Sequence, residues 1–223
     1  MRNCLKYIHT NSRGYTDDNI SYFADGNTVV FIVIPFDKLK SHANYLRLVV
    51  TTLIRSAVRR PSDHKTTFIC DEAFNLGYIS EFETALSGYA GFNITMWLVY
   101  QDLTQIKDTY GDKWETMIAN CTVKQFVARD VFTQEYVSKL MGDTTHVIYR
   151  QGLLGNIINI QSNQRHLATP NEVVRISKDK MITFIDETPV TLLPKIPYYD
   201  MPELKDKDGR NLYGPNPYVK DSK

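Results

Sequence analysis

The stretch Thr66–Gly77 reads TTFICDEAFNLG. A short β-branched and apolar run ends in two adjacent carboxylates, Asp71 and Glu72, then returns to apolar residues and a glycine. A strand that ends this way holds its backbone rigid, so the first carboxylate can hold the water shell of a phosphate-bound Mg2+. The second, one residue on, can orient or deprotonate an attacking water. The same residues also fit a plain strand end whose acids cap the next helix, because Asp and Glu are favoured at helix N-termini. Gln101 follows another apolar run, NITMWLVY. Its amide suits a terminal phosphate or the attacking water, although taken alone such a residue is more often a simple helix cap.

A short apolar strand ending in Asp-Glu is the Walker B pattern of nucleotide hydrolases. Its phosphate-cradling companion, G-x-x-x-x-G-K-[ST], does not occur in the 223 residues. Gly152–Gly155 (GLLG) is followed by no lysine. The five histidines show no H-E-x-x-H or other ligand spacing, and there is no G-x-S-x-G elbow. Cys4, Cys70 and Cys121 lie far apart. They point to a reducing compartment and to neither a disulfide framework nor a zinc site. A net charge of +1 excludes an overall basic footprint, so any nucleic-acid contact must be local. The most apolar run, TVVFIVIPF, is far shorter than the roughly 20 residues of a spanning helix, so the chain reads as soluble, with no membrane segment.

The elements that must position these residues follow from periodicity. Thr28–Pro35 and Thr66–Cys70 read as strands buried on both faces. Lys38–Arg59 carries a helical apolar stripe with its arginines mostly off it, stopped by Pro61. Those arginines suit phosphate backbones or simply form a solvated face. Ile79–Leu86 reads as a helix, Asn93–Tyr100 as a strand, and Asp102–Tyr110 as a helix stopped by Gly111. Trp114–Ala119 reads as a short helix, Thr122–Ala128 as a strand, and Asp130 caps a helix running to Met141 before Gly142. Gly152–Gln164, rich in Gly, Asn and Gln, reads as an exposed loop. Thr169-Pro170-Asn171-Glu172 is a capping box with proline at the first helical position. Short strands follow at Lys180–Ile185 and Pro189–Leu193. The alternation predicts an α/β fold with a mostly parallel sheet flanked by helices and a short C-terminal β extension. Asp71, Glu72 and Gln101 then share the sheet edge where ligands of open α/β sheets bind.

This order of pieces resembles the type IV secretion coupling proteins, the TraG/TraD-like ATPases that drive DNA or effector proteins into secretion channels. The resemblance runs from about Asn27 to about Glu203. It includes TVVFIVIP and RSAVRRP, FICDEAFNLG, YAGFNITMWLVYQDLTQIKDTYG, ARDVFTQEYVSKLMGDTT and RHLATPNEVVRI. It implies part of a RecA-like P-loop NTPase fold, from the Walker B strand onward, hexameric, with ATP bound between neighbours. It implies Asp71 at Mg2+, Glu72 as the catalytic carboxylate and Gln101 as a phosphate sensor. It further implies channel components and a DNA, relaxase or effector-protein substrate as partners, at the cytoplasmic face of the bacterial inner membrane. The family's membrane helices and Walker A precede the matched region and are absent from this sequence. The turn Ser87–Ala90 carries no arginine that could reach a neighbour's nucleotide, and Arg129 lies near another inter-subunit position.

The expected organisation is an irregular segment 1–27, a motor portion 28–197 and a mobile tail 198–223. Two readings of function remain open. One is the C-terminal part of a coupling ATPase that hydrolyses ATP only with a P-loop supplied from elsewhere. The other is a non-catalytic interaction module or remnant. A helicase or packaging motor fits less well, given Thr169–Val173 and the closing strands.

Overall fold

The structure, a computed structural model, describes residues 7–10, 28–59, 63–151 and 157–205. The chain divides at Thr122 into two compact units.

In the first unit, β1 (Tyr7–Thr10) pairs antiparallel with β2 (Thr28–Phe31). Tyr7–Thr10 lies inside the stretch expected to be irregular; the rest of that stretch is outside the described residues. β2 is not buried on both faces. Val29, Phe31 and Val33 are each more than half exposed, because a two-stranded ribbon has no second layer of its own. The helix α1 (Leu39–Arg59) follows a 3-10 turn at Phe36–Lys38 and buries Val50, Ile54 and Ala57. Pro61, read as its stop, lies outside the described residues.

β3 (Thr66–Cys70) and β4 (Ile94–Leu98) form a parallel ladder, from Thr66 opposite Ile94 to Cys70 opposite Leu98. Between them run a 3-10 turn (Ala73–Leu76) and α2 (Ser80–Gly88). After β4 come α3 (Leu103–Tyr110) and α4 (Trp114–Ala119). Phe68, Cys70, Met96 and Leu98 point to a core built from Val50, Ile54, Ala73, Leu76, Ile79, Phe82, Tyr110 and Met117. The alternate positions point away, leaving Ile69 64% and Trp97 56% exposed side by side across the ladder. β3 is thus covered on one face only, which corrects the expectation of a fully buried strand. A strand's period of two fills one face and cannot itself supply the second layer.

The turn after β3 is tethered from α1. Arg47 Nε donates to the Leu76 carbonyl at 3.0 Å. Gly77 follows with φ 64° and ψ −156°, a conformation essentially confined to glycine. A Cβ there would lie 2.9 Å from Arg47 Nη2.

In the second unit, β5 (Val123–Phe126), β8 (Lys180–Ile185) and β9 (Thr191–Pro194) form an antiparallel sheet with β8 central. Helices α5 (Val131–Met141) and α6 (Pro170–Asp179) pack with it around Phe126, Val137, Val173 and Ile182. Ser177 Oγ accepts from the Ala128 N–H, and Ser138 Oγ donates to the Ala168 carbonyl at 2.6 Å. The region expected as a loop contains a strand. β6 (Asp143–Gln151) and β7 (Ile157–His166) form a hairpin, and 152–156 lie outside the described residues. Backbone pairing carries this hairpin, so the loop-like composition of 157–164 is no bar to a strand. In the tail, Tyr198–Asp200 and Pro202–Leu204 form 3-10 turns.

The α6 capping box is fully formed. Glu172 Oε2 accepts from the Thr169 N–H at 2.8 Å, and both Glu172 oxygens accept from Arg165 Nη2. The Thr169 N–H first, and Arg165 second, hold the Glu172 carboxyl down at about 2 from its ordinary 4.5. A depressed carboxyl contributes stability that is present above 4.5 and lost as pH falls toward 2.

Three outcomes follow from this architecture. Denaturant midpoints should fall between pH 4.5 and 2, and Glu172→Gln should flatten that dependence; an unchanged slope in the variant rules the box out as its source. Gly77→Ala should lower unfolding free energy by about 1–3 kcal/mol, read by chemical denaturation. The chain expressed alone should self-associate through its open sheet face, and Trp97→Lys should shift sedimentation toward monomer.

Candidate phosphate-facing site at the β3 and β4 ends

Two backbone hydrogen bonds extend the ladder beyond its last residues. The Val99 N–H donates to the Cys70 carbonyl at 3.0 Å, and the Ala73 N–H donates to the Val99 carbonyl at 2.9 Å. One residue of the β4 end is therefore matched by a longer path on the β3 side, and Asp71 and Glu72 bulge out between the two bonds. Glu72 takes up the extra length with φ 57° and ψ 52°, the left-handed region, where a non-glycine residue costs about 1–2 kcal/mol. Strain of this kind is kept where the surrounding structure fixes it, and it collects at functional sites.

The side chains meet at the same edge. Gln101 Nε2 donates to Glu72 Oε1 at 2.7 Å. The Asp71 carboxylate is exposed and has no hydrogen bond or ion pair among the described residues. Glu72 heads the 3-10 turn without a side-chain cap bond, so neither acid acts as a helix cap. Gln101 is not the cap of α3 either. Asp102 takes that role, accepting from the Gln105 N–H at 2.9 Å, while Gln105 Oε1 accepts from the Gln101 N–H at 3.0 Å. The helix start thus fixes the Gln101 backbone from both sides and leaves its amide directed at Glu72.

The shell beneath is apolar and tight. Burial pushes the Cys70 thiol up to about 11, which keeps it an inert packing group. Burial likewise raises the phenols of Tyr100 and Tyr110, so both stay protonated. Tyr110 packs on Tyr78 just past Gly77, with ring centroids 5.4 Å apart. The Arg47 tether is a further positioning contact, 29 residues from its acceptor, and no local sequence signal marks it.

The donor set fits magnesium nucleotide in one respect. Among the described residues, no group of three or more His, Cys, Asp or Glu could enclose a metal by itself. A single open carboxylate at a strand end suits Mg2+, which takes few protein ligands and completes its shell with water and phosphate oxygens. No helix among the described residues is long and apolar enough to cross a membrane.

Solved structures share this fold. The bacterial conjugative coupling protein TrwBdeltaN70, unbound, matches with a TM-score of 0.65 at 18% identity, over 74% of this chain and 40% of that one. TrwB in complex with ADP and Mg2+ matches with a TM-score of 0.63 at 19% identity, over 78% of this chain and 42% of that one. The chain accordingly shares the α/β fold of these coupling-protein structures, helices flanking a parallel strand pair. Among curated relatives, the conjugal transfer protein TraG of Rhizobium radiobacter is 29% identical over 203 residues, covering 86% of this chain and 32% of the relative. The VirD4 protein of Rhizobium radiobacter is 28% identical over 189 residues, covering 80% and 28%. This chain spans about a third of the length of such relatives. The family described as type IV secretory system conjugative DNA transfer matches residues 7–216, wider than the span of the sequence resemblance. The chain belongs to that family of coupling proteins.

Proposed function

We propose that residues 28–197 form the Walker B side of the motor of a coupling ATPase that drives DNA or protein substrate into a type IV secretion channel. The observation that carries this reading is the 2.7 Å contact between Gln101 and Glu72 at the ends of adjacent parallel strands. It places an amide and a carboxylate one hydrogen bond apart, beside an open second carboxylate. ATP with Mg2+, when bound, supplies the phosphoanhydride to be cleaved and the charge that stabilises its leaving oxygen. Asp71 holds the metal's water shell. Glu72 orients the attacking water and accepts its proton. Gln101, whose amide donates to Glu72 at 2.7 Å, would face the terminal phosphate of a bound nucleotide. TrwB structures with ADP and Mg2+ and with a non-hydrolysable ATP analogue support nucleotide as the ligand of this fold. The phosphate cradle comes from polypeptide outside these 223 residues or from another chain. Assembly as a homo-hexamer at the cytoplasmic face of the inner membrane, against channel components, is part of the same proposal.

A second reading of the same fold is a docking module that turns over no ATP. In the native polypeptide, Glu72→Gln should lower turnover by ~100-fold or more while ATP still binds, since the amide keeps the shape and loses the base. Turnover unchanged in that variant removes Glu72 from catalysis. If the native polypeptide has no turnover at all and Asp71→Ala leaves partner capture intact, the docking reading stands instead.

A further inference from the structure

Beneath the site lie three buried polar atoms that the motor reading does not use. They are the hydroxyls of Tyr100 and Tyr110 and the Oε1 oxygen of Glu83. Each is shut off from solvent and completes no hydrogen bond among the described residues. Leaving one such atom unpaired is costly, and most buried polar atoms in folded proteins bond either to protein or to an ordered water.

The three share one neighbourhood, with Tyr110 as its common member. Burial first raises the Tyr110 phenol, and the Tyr100 hydroxyl, the Ile79 N–H and Glu83 all act on it as well. Burial first, and Tyr110 next, raise the Tyr100 phenol. The two hydroxyls therefore face each other at close range without closing a direct bond. Polar atoms that approach and stop short of bonding leave the gap that one water spans.

The donor and acceptor balance names the occupant. Both phenols keep their protons, so each has one to donate. Glu83 Oε1 has lone pairs to receive one. The other oxygen, Oε2, accepts from Lys113 Nζ at 2.9 Å, so the carboxylate charge is already matched. A neutral molecule fits such a place. One water accepts from both hydroxyls and donates to Glu83 Oε1, and about three bonds is the usual number for a buried water. A cation fits less well, because Lys113 already supplies the balancing charge.

The same three residues come from elements that frame the site. Tyr100 immediately precedes Gln101. Tyr110 ends α3, whose first turn holds the Gln101 N–H through Gln105. Glu83 lies on α2, the helix that follows the acids and the Gly77 turn. We propose that one ordered water bridges Tyr100, Tyr110 and Glu83, and that through Tyr100 it positions Gln101 against Glu72. Tyr100 is thereby a positioning residue. The bridge requires no nucleotide, and only its bearing on turnover rests on the motor reading.

The test uses the native polypeptide without nucleotide. A crystal structure fine enough to show ordered water should have one density peak about 2.5–3.0 Å from all three atoms. A direct bond between the two hydroxyls, with no such peak, overturns the proposal. Tyr100→Phe and Tyr110→Phe should each raise the unfolding equilibrium constant roughly fivefold. The double variant should raise it by less than the product of the two, since either loss breaks the same bridge. Removal of a hydroxyl that has no partner has the opposite sign, so a stabilised Tyr100→Phe or Tyr110→Phe also overturns the bridge. The positioning is read by NMR from the side-chain amide of Gln101. In Tyr100→Phe its resonances should move toward those of Glu72→Ala, where its acceptor is gone. Met117→Ala, which destabilises the same core without touching the bridge, should leave them in place. Resonances that stay put in Tyr100→Phe, or that move equally in Met117→Ala, overturn the positioning role. A native polypeptide with no ATP turnover removes the motor reading and changes none of these outcomes.

Discussion

The site depends on how the β3 and β4 ladder ends. Val99 uses both its N–H and its C=O on the β3 strand, one before the acids and one after them. Backbone groups at the edge of a packed core must find partners, and here satisfying them forces Asp71 and Glu72 into a short bulge. The carboxylates stand out because the chain on either side of them is hydrogen-bonded and cannot follow. The apolar layer below holds the ladder in place, with Phe68, Cys70, Met96 and Leu98 on the core of α1 and α2.

The second unit reaches definition by a different route, through local chemistry at helix starts. Thr169 and Glu172 satisfy the first orphan donors of α6, and Asp130 accepts from the Thr133 N–H at the start of α5. Side-chain hydroxyls bind main-chain groups between elements, Ser138 to Ala168 and Ser177 to Ala128. These bonds fix helix positions where apolar packing alone tolerates sliding, because a buried polar group without its partner costs more than the bond yields.

Much of this was legible beforehand, and the reason is local. The caps at Asp130 and Thr169 and the stops at Gly111 and Gly142 are written in neighbouring residues, so the end of α3, both ends of α5 and the start of α6 could be placed from spacing. Asp71, Glu72 and Gln101 were readable as one edge because each directly follows an apolar run. What sequence did not disclose was the 2.7 Å contact between Gln101 and Glu72 or the Arg47 tether, which join residues distant in the chain, or the left-handed backbone at Glu72, which the ladder bonds on either side impose. The same limit hid the β6–β7 hairpin, whose pairing partner, not its composition, makes it a strand. It also let β2 and β3 pass for doubly buried strands, since apolar residues on both faces do not say whether a second layer is there to cover them.

The backbone of Glu72 bears on how this protein can be altered. The left-handed conformation there suits glycine or asparagine better than glutamate. A selection scheme that ranks variants by thermal resistance would enrich those replacements at position 72 and strip out the carboxylate unnoticed. Random drift under weak demand for activity would push the same way. A homologue that keeps an acid at this angle therefore reports continuing use, and one that has relaxed to glycine reports a retired site.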